Sequence, residues 1–260
     1  MSEPVSKTAL GRVTVLTMNA PEKMNAVSLE MRNALIESLH ECFLDDACSA
    51  VVLAGAGGNF SAGGDIKSAR PAPELLARTL RHKLGRLQEL VRVICNAPKP
   101  VVAAVDGKAY GAGLSLATAC DAVVAQQGAQ FCAAFGKVGL VPDAGLFYTL
   151  PRRVGAARAQ HMMLSARVVP AGEALDTGLV DSLAPEGELI AMACAEAERL
   201  AQIAPLAFAA IKSLSNSSCA SLEQAFSEEQ RLQPLLAMTE DNHEARSAFA
   251  ERRKPVFRGR

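Results

Sequence analysis

The sequence predicts an α/β core followed by a purely helical region. Three observations carry that prediction. Ala50 to Ala54 and Val101 to Val105 are short, unbroken apolar runs that stop at glycine-rich turns, as strands covered on both faces require. Between such runs lie stretches whose apolar residues recur at helical spacing. Beyond about Gly187 the helical spacing continues with no strand among it, so the chain divides into a core over 1–186 and a helical region over 187–260.

Taken in order, Val13 to Met18 reads as an early strand, and NAPEKMNAV after it as a loop rich in turn formers. Ser28 is placed to cap a helix on which Met31, Leu35, Leu39 and Phe43 form one apolar stripe. The strand at Ala50 ends in GAGGNFSAGGDI, five glycines in twelve residues, too dense for an ordinary connection. A long helix from Glu74 to Cys95 follows, with Leu76, Leu80, Leu84, Leu87, Val91 and Ile94 on one face, and Asn96, Ala97 and Pro98 stop it.

The stretch from Pro98 to Asp121 is the pivot. A buried strand runs into a turn with Gly107, Gly111 and Gly113, and the turn opens a helix of small and aliphatic residues from Ala112 to Ala119. The first N–H groups of that helix have no partner within it, so they face the turn as donors for a polarised oxygen. Ala122 to Ala125 is the next strand. The segment AQFCAAFGKVGLVPDAGLFYTLPRRVG carries the prolines and glycines of further turns, Pro170 begins a short helix ended by Gly178, and Leu179 to Leu183 reads as the last strand. Helices are then expected over Glu188 to Ala201, Pro205 to Leu214, Ser221 to Met238 and Glu240 to Arg252.

Composition narrows the functional classes. Lys plus Arg and Asp plus Glu are 27 each, which argues against nucleic acid or a membrane surface as a partner. The seven cysteines never adopt a metal-ligand spacing and read as reduced thiols of a cytoplasmic protein. The N-terminal MSEPVSK lacks the apolar stretch of a signal peptide, and no apolar run approaches the roughly 18 residues of a membrane span. His40, His82, His161 and His243 fall in helical patterns without ligand spacing, so no metal site is expected.

Two glycine-rich loops therefore stand out, one around Ala62-Gly63-Gly64-Asp65 and one around Gly111-Ala112-Gly113. The second lacks the Gly-Lys-Ser/Thr ending of a phosphate loop and does not fit the dinucleotide fingerprint. NFSAGGDI, DGKAYGAGLSLATACD and FGKVGLVPDAG, in that order, closely resemble the crotonase superfamily of enoyl-CoA hydratases and isomerases. The resemblance extends from PEKMNAVS to the ending EDNHEARSAFAERRKPVF, and its nearest motif match is to isomerases of the phenylacetate-pathway type.

That resemblance implies a spiral of strand-strand-helix units whose C-terminal helices trimerise, with trimers pairing into hexamers. It implies an oxyanion hole for an acyl-CoA thioester, with the N–H groups of Ala62 and Ala112 as its donors by position. The two positions that hold glutamates in typical hydratases carry Ser115 and Phe135 here, so the paired carboxylates that activate water are missing. Asp143 matches the acid/base aspartate of several isomerases in the superfamily; from its place after Pro142 in a turn it also reads as a helix cap. Ser115, by its own context, is a packing hydroxyl rather than a nucleophile. Leu146 stands where the family often has a second glycine, and with Phe147 and Tyr148 it is expected to reshape an acyl pocket shared with Ser115 and Phe135.

Coenzyme A enters as part of the substrate and no separate cofactor is implied. Lys23, Met24, Ala26, Ala62, Gly64, Asp65 and Ile66 match the family's CoA-contacting positions. Lys254 and Phe257 match a basic and aromatic pair that closes over the nucleotide from a neighbouring subunit, although the surrounding arginines also suit a solvated basic tail. The expected function is a double-bond shift in an acyl-CoA through a stabilised enolate and one carboxylate. Hydration of 2-enoyl-CoA and acyl-CoA binding without turnover are the alternatives.

Overall fold

The computed structural model describes residues 3–65, 72–217 and 221–260. Strands β1 (Val5–Leu10) and β2 (Val13–Met18) form an antiparallel hairpin. A short 3-10 turn at Pro21–Lys23 leads to α1 (Leu29–Leu44), where the Ser28 hydroxyl accepts from the Met31 N–H at 3.1 Å. Then come β3 (Ala50–Gly55), α2 (Pro73–Cys95), β4 (Val101–Val105), β5 (Lys108–Tyr110), α3 (Ala112–Ala119), β6 (Ala122–Gln126) and β7 (Gln130–Cys132). A 3-10 stretch at Ala134–Val138 precedes α4 (Leu146–Val154), α5 (Ala156–Ser165), β8 (Val169–Pro170), α6 (Ala171–Asp176) and β9 (Ser182–Ala184). Helices α7 (Leu189–Leu200), α8 (Pro205–Ser217), α9 (Leu222–Ala237) and α10 (Glu240–Ala250) follow.

The strands make a six-stranded sheet in the order β1-β2-β3-β4-β6-β9, parallel from β2 onward, and a three-stranded sheet in the order β5-β7-β8. The chain winds between them as a spiral. A large-sheet strand is followed by a small-sheet strand and then a helix: β4, β5, α3, and again β6, β7, α4. In the turn before these, β3 is followed by Ser61, which bridges Ala109 of β5 in parallel, and then by α2.

Alternation along the central strands explains their unbroken apolar sequence. Val51, Leu53, Val101, Ala103 and Val105 face one core with residues of α1, α2 and α3. Val52, Ala54, Val102 and Ala104 face a second core closed by Ala193, Cys194 and Ala197 of α7. Helix α7 is thus a layer of the core, and the helices that stand clear of the sheet begin with α8. Buried Lys212 ties α8 back: its Nζ donates to Asp121 Oδ2 at 2.6 Å, and the same oxygen accepts from the Val101 N–H at 2.8 Å. The C-terminal tail doubles back along α10, where Asp241 accepts from the N–H groups of Arg258 and Gly259 at 2.7 and 2.8 Å.

Several elements differ from the sequence expectation. The final strand spans only Ser182–Ala184; Leu179 and Val180 are buried but lie outside it, their side chains packed in the core beneath α6. The leucine stripe of α2 is buried only from Leu87 onward, and Leu80 is exposed because the first half of the helix projects past the core. No described helix is long and apolar enough to cross a membrane, and no described cluster of His, Cys, Asp or Glu has the makings of a metal site.

Candidate active site

The site begins with Asn25, fully buried at a left-handed φ of 52°. Its Oδ1 accepts from the Ala20 N–H at 3.0 Å, and its Nδ2 donates to the carbonyls of Ala56 and Asn59 at 2.8 and 2.7 Å. The loop before α1 is thereby sewn to the glycine-rich loop after β3. Further stitches are Ser61 Oγ to the Asn25 carbonyl at 2.7 Å, the Val27 N–H to the Gly63 carbonyl at 2.7 Å, and the Gly63 N–H to Ser61 Oγ at 3.1 Å.

This loop presses on the start of α3. A Cβ on Gly63, whose φ is +97°, would lie 2.6 Å from the Tyr110 carbonyl oxygen and 3.1 Å from the Ala112 nitrogen. A Cβ on Gly113 would lie 2.5 Å from the Ser61 carbonyl oxygen. Only glycines at both places allow the two backbones to meet. The result is a pair of inward N–H groups. Ala112, first residue of α3, has no intrahelical acceptor, and the Gly64 N–H has none among the described residues. Ala62 is not available as expected: its N–H is spent on the Met24 carbonyl at 2.8 Å, which leaves the Gly64 N–H as the unspent one beside it.

Gly64 and Ala112 line a cavity of about 420 Å³ together with Glu22, Lys23, Met24, Ala26, Ala62 and Asp65. Arg32, Leu87, Phe135, Val138, Leu140 and Asp143 line the same cavity. Asp143 does not cap α4. The cap residue is Gly145 without a side-chain bond, while Asp143 Oδ1 is buried with no hydrogen-bond partner among the described residues. Burial pushes this carboxyl above its ordinary value, and the positive Arg32 opposes the shift. Its main chain is held from behind, since its carbonyl accepts from Ser115 Oγ at 3.0 Å and the Leu146 N–H at 3.1 Å.

The structure therefore gathers Lys23, Met24, Ala26, Ala62, Gly64, Asp65, Ala112, Phe135 and Asp143 around one cavity. Ser115 is not on its wall; it is fully buried in α3 and acts through the Asp143 backbone. Leu146 is likewise buried in the core, because the turn at Gly145 points it inward, and Phe147 lies exposed on α4. Ile66 falls outside the described residues. The chain's own Lys254 and Phe257 are not brought to the cavity, because the tail is tied to α10. Arg32 was not anticipated. It is 8 % exposed, and a lone arginine on an amphipathic helix gives no sequence signal that it faces inward.

The comparisons with known proteins place the whole chain in one family. A family model described as enoyl-CoA hydratase/isomerase matches residues 9–260. A probable enoyl-CoA hydratase of Rhodobacter capsulatus is 38% identical over 249 residues, covering 95% of both chains. The 2,3-dehydroadipyl-CoA hydratase of Escherichia coli is 36% identical over 250 residues, 96% of each chain, and the 1,2-epoxyphenylacetyl-CoA isomerase of the same organism is 35% identical over 250 residues, 95% of each. Among solved structures, an enoyl-CoA hydratase from Polaromonas sp. JS666 superposes with a TM-score of 0.90 at 34% identity, covering 98% of this chain and 99% of that one.

Proposed function

The chain belongs to the enoyl-CoA hydratase/isomerase family, and from that premise we propose that it is an acyl-CoA isomerase converting 3-enoyl-CoA to 2-enoyl-CoA. The observation that carries this reading is a half-buried carboxyl, Asp143, whose Oδ1 is shut off from water beside a cavity with two unspent backbone donors, Gly64 and Ala112. The ionised carboxyl takes a proton from the carbon next to the thioester. The electrons delocalise onto the thioester oxygen, where the two N–H groups stabilise the dienolate; each such donor contributes about 100- to 1000-fold to turnover. The protonated carboxyl then returns the proton two carbons away, the double bond settles between C2 and C3, and nothing is consumed. Apolar neighbours such as Phe135 keep the carboxyl basic enough for this exchange.

Lys23, Met24, Ala26, Asp65 and Ile66 are assigned to the coenzyme A portion. Assembly as a homotrimer or a dimer of trimers falls to the helices from α8 onward, α7 being part of the core. Its support is the exposed Ile211, Phe226, Leu235, Met238 and Phe249, apolar side chains that a lone chain leaves in water. Lys254 and Phe257 of an adjoining copy are then available to close over the nucleotide. The setting is cytoplasmic, in keeping with the free thiols of the described cysteines.

The names of the relatives favour two neighbouring readings: hydration of a 2-enoyl-CoA and rearrangement of an epoxide conjugate of phenylacetyl-CoA. Hydration is weakened by Ser115 and Phe135, neither of which can activate water as a carboxylate. Incubation with 3-hexenoyl-CoA, following growth of the conjugated thioester absorbance, tests the isomerase reading; loss of that absorbance from crotonyl-CoA, with no action on 3-enoyl substrates, would favour the hydratase instead. A chain that binds thioesters but consumes none of a broad panel is a binding protein.

A further inference from the structure

We propose that Arg32 recognises a carboxylate at the far end of the acyl chain, so that the preferred thioesters are those of dicarboxylic acids; this rests on the acyl-CoA reading above. Arg32 is more than nine-tenths buried, yet it makes no salt bridge among the described residues. Its Nε donates to the Val27 carbonyl at 2.9 Å and its Nη1 to the Lys83 carbonyl at 2.5 Å, which fixes the guanidinium plane between α1 and α2. Among the described residues Nη2 makes no hydrogen bond, and Arg32 is the one arginine that lines the cavity.

A buried cation without a contacting anion is costly unless something completes it. Asp143 does not, for its Oδ1 has no partner among the described residues and the two interact only at longer range. Leu87, Phe135 and Leu140, which line the same cavity, suit the methylenes of an acyl chain. A planar, pinned fork with a free nitrogen is matched by a carboxylate oxygen, whereas a neutral alkyl end leaves that donor unpaired.

Equilibrium binding of adipyl-CoA and hexanoyl-CoA tests this without turnover, since the two saturated thioesters differ only in the terminal carboxylate. The native protein is expected to prefer adipyl-CoA by about 10- to 100-fold, as one charge-assisted bond implies. In Arg32→Met the preference should collapse to about one, and Arg32→Lys, which keeps the charge but not the fork, should retain part of it. Equal affinities in the native protein overturn the proposal while leaving the acyl-CoA reading intact; failure to bind either thioester overturns both. Should Arg32→Met not fold, the native ratio and Arg32→Lys still decide.

Discussion

The Ser115 hydroxyl donates to the main-chain carbonyl of Asp143 at 3.0 Å, linking the helix that supplies one backbone donor to the residue that supplies the carboxyl. The Ala112 N–H and Asp143 are thus parts of one rigid unit rather than neighbours by chance. A second, longer contact from Ser115 Oγ to the Gly111 carbonyl at 3.4 Å closes the unit at the turn itself.

Ser115→Ala should therefore act on positioning. The Asp143 carbonyl keeps the Leu146 N–H, so the stability loss is expected at about 1 kcal/mol. Turnover should fall about 10-fold through misplacement of the carboxyl, with acyl-CoA affinity little changed. Paired kcat and Kd measurements check this, and an unaltered kcat would reduce Ser115 to packing.

Asp143→Asn should abolish isomerisation and spare binding, and its stability effect has a definite sign. Burial raises this carboxyl above its ordinary value, so the folded protein holds the proton more tightly than the unfolded chain. The ionised form costs nothing below about pH 4, the ordinary carboxylate range, and its cost grows as pH rises through the folded value. The variant should then melt higher than the native protein at pH 8, with the gain shrinking toward acid. For the same reason the acid limb of the native kcat/KM profile should lie above the ordinary carboxylate range. A melting temperature lower than native at pH 8 contradicts the burial argument.

Gly63→Ala forces a Cβ against the Tyr110 carbonyl at a φ of +97°. Overpacking of this kind costs about 1–3 kcal/mol, and the shift falls on the loop that carries the Gly64 donor. Gly64→Ala meets open space and should fold with a native melting temperature. Thermal melts of the two variants, side by side, separate crowding from mere loss of a glycine; equal melting temperatures would contradict the close approach of the loops.

What the sequence disclosed follows from which interactions leave a local pattern. The strands at Val13, Ala50, Val101 and Ala122 were legible because burial on both faces makes them continuously apolar. Strand β1 was not, since only Val5 of its six residues is buried. The small sheet was missed because β5, β7 and β8 are two or three residues long, too short to show a period. Helices α4 and α5 were hidden by Pro151 and Gly155, which read as loop markers although the first lies within a helix and the second joins two. At the site, the glycine loops and Asp143 were visible, but the donor shifts from Ala62 to Gly64. Which N–H is free depends on the Met24 carbonyl, a partner 38 positions away in the chain that no local spacing reveals.

The same non-local stitching makes Asn25 a sensitive polar residue outside the cavity. Asn25→Ala leaves the Ala56 and Asn59 carbonyls and the Ala20 N–H without their partner in a buried setting. With about 1–3 kcal/mol for a group left unsatisfied, and relaxation relieving part of it, the loss is expected at about 2–4 kcal/mol. Asn25→Asp is isosteric yet should be worse at pH 7, because it replaces a double donor with a carboxylate facing two carbonyl oxygens. Denaturant midpoints order the three proteins: native above Ala, and Ala above Asp. An Asp variant as stable as the native protein would mean that the loop before α1 is held by Ser61 and Gly63 alone. In that case the Gly64 donor would keep its place without Asn25, and acyl-CoA affinity would be unaffected by either substitution.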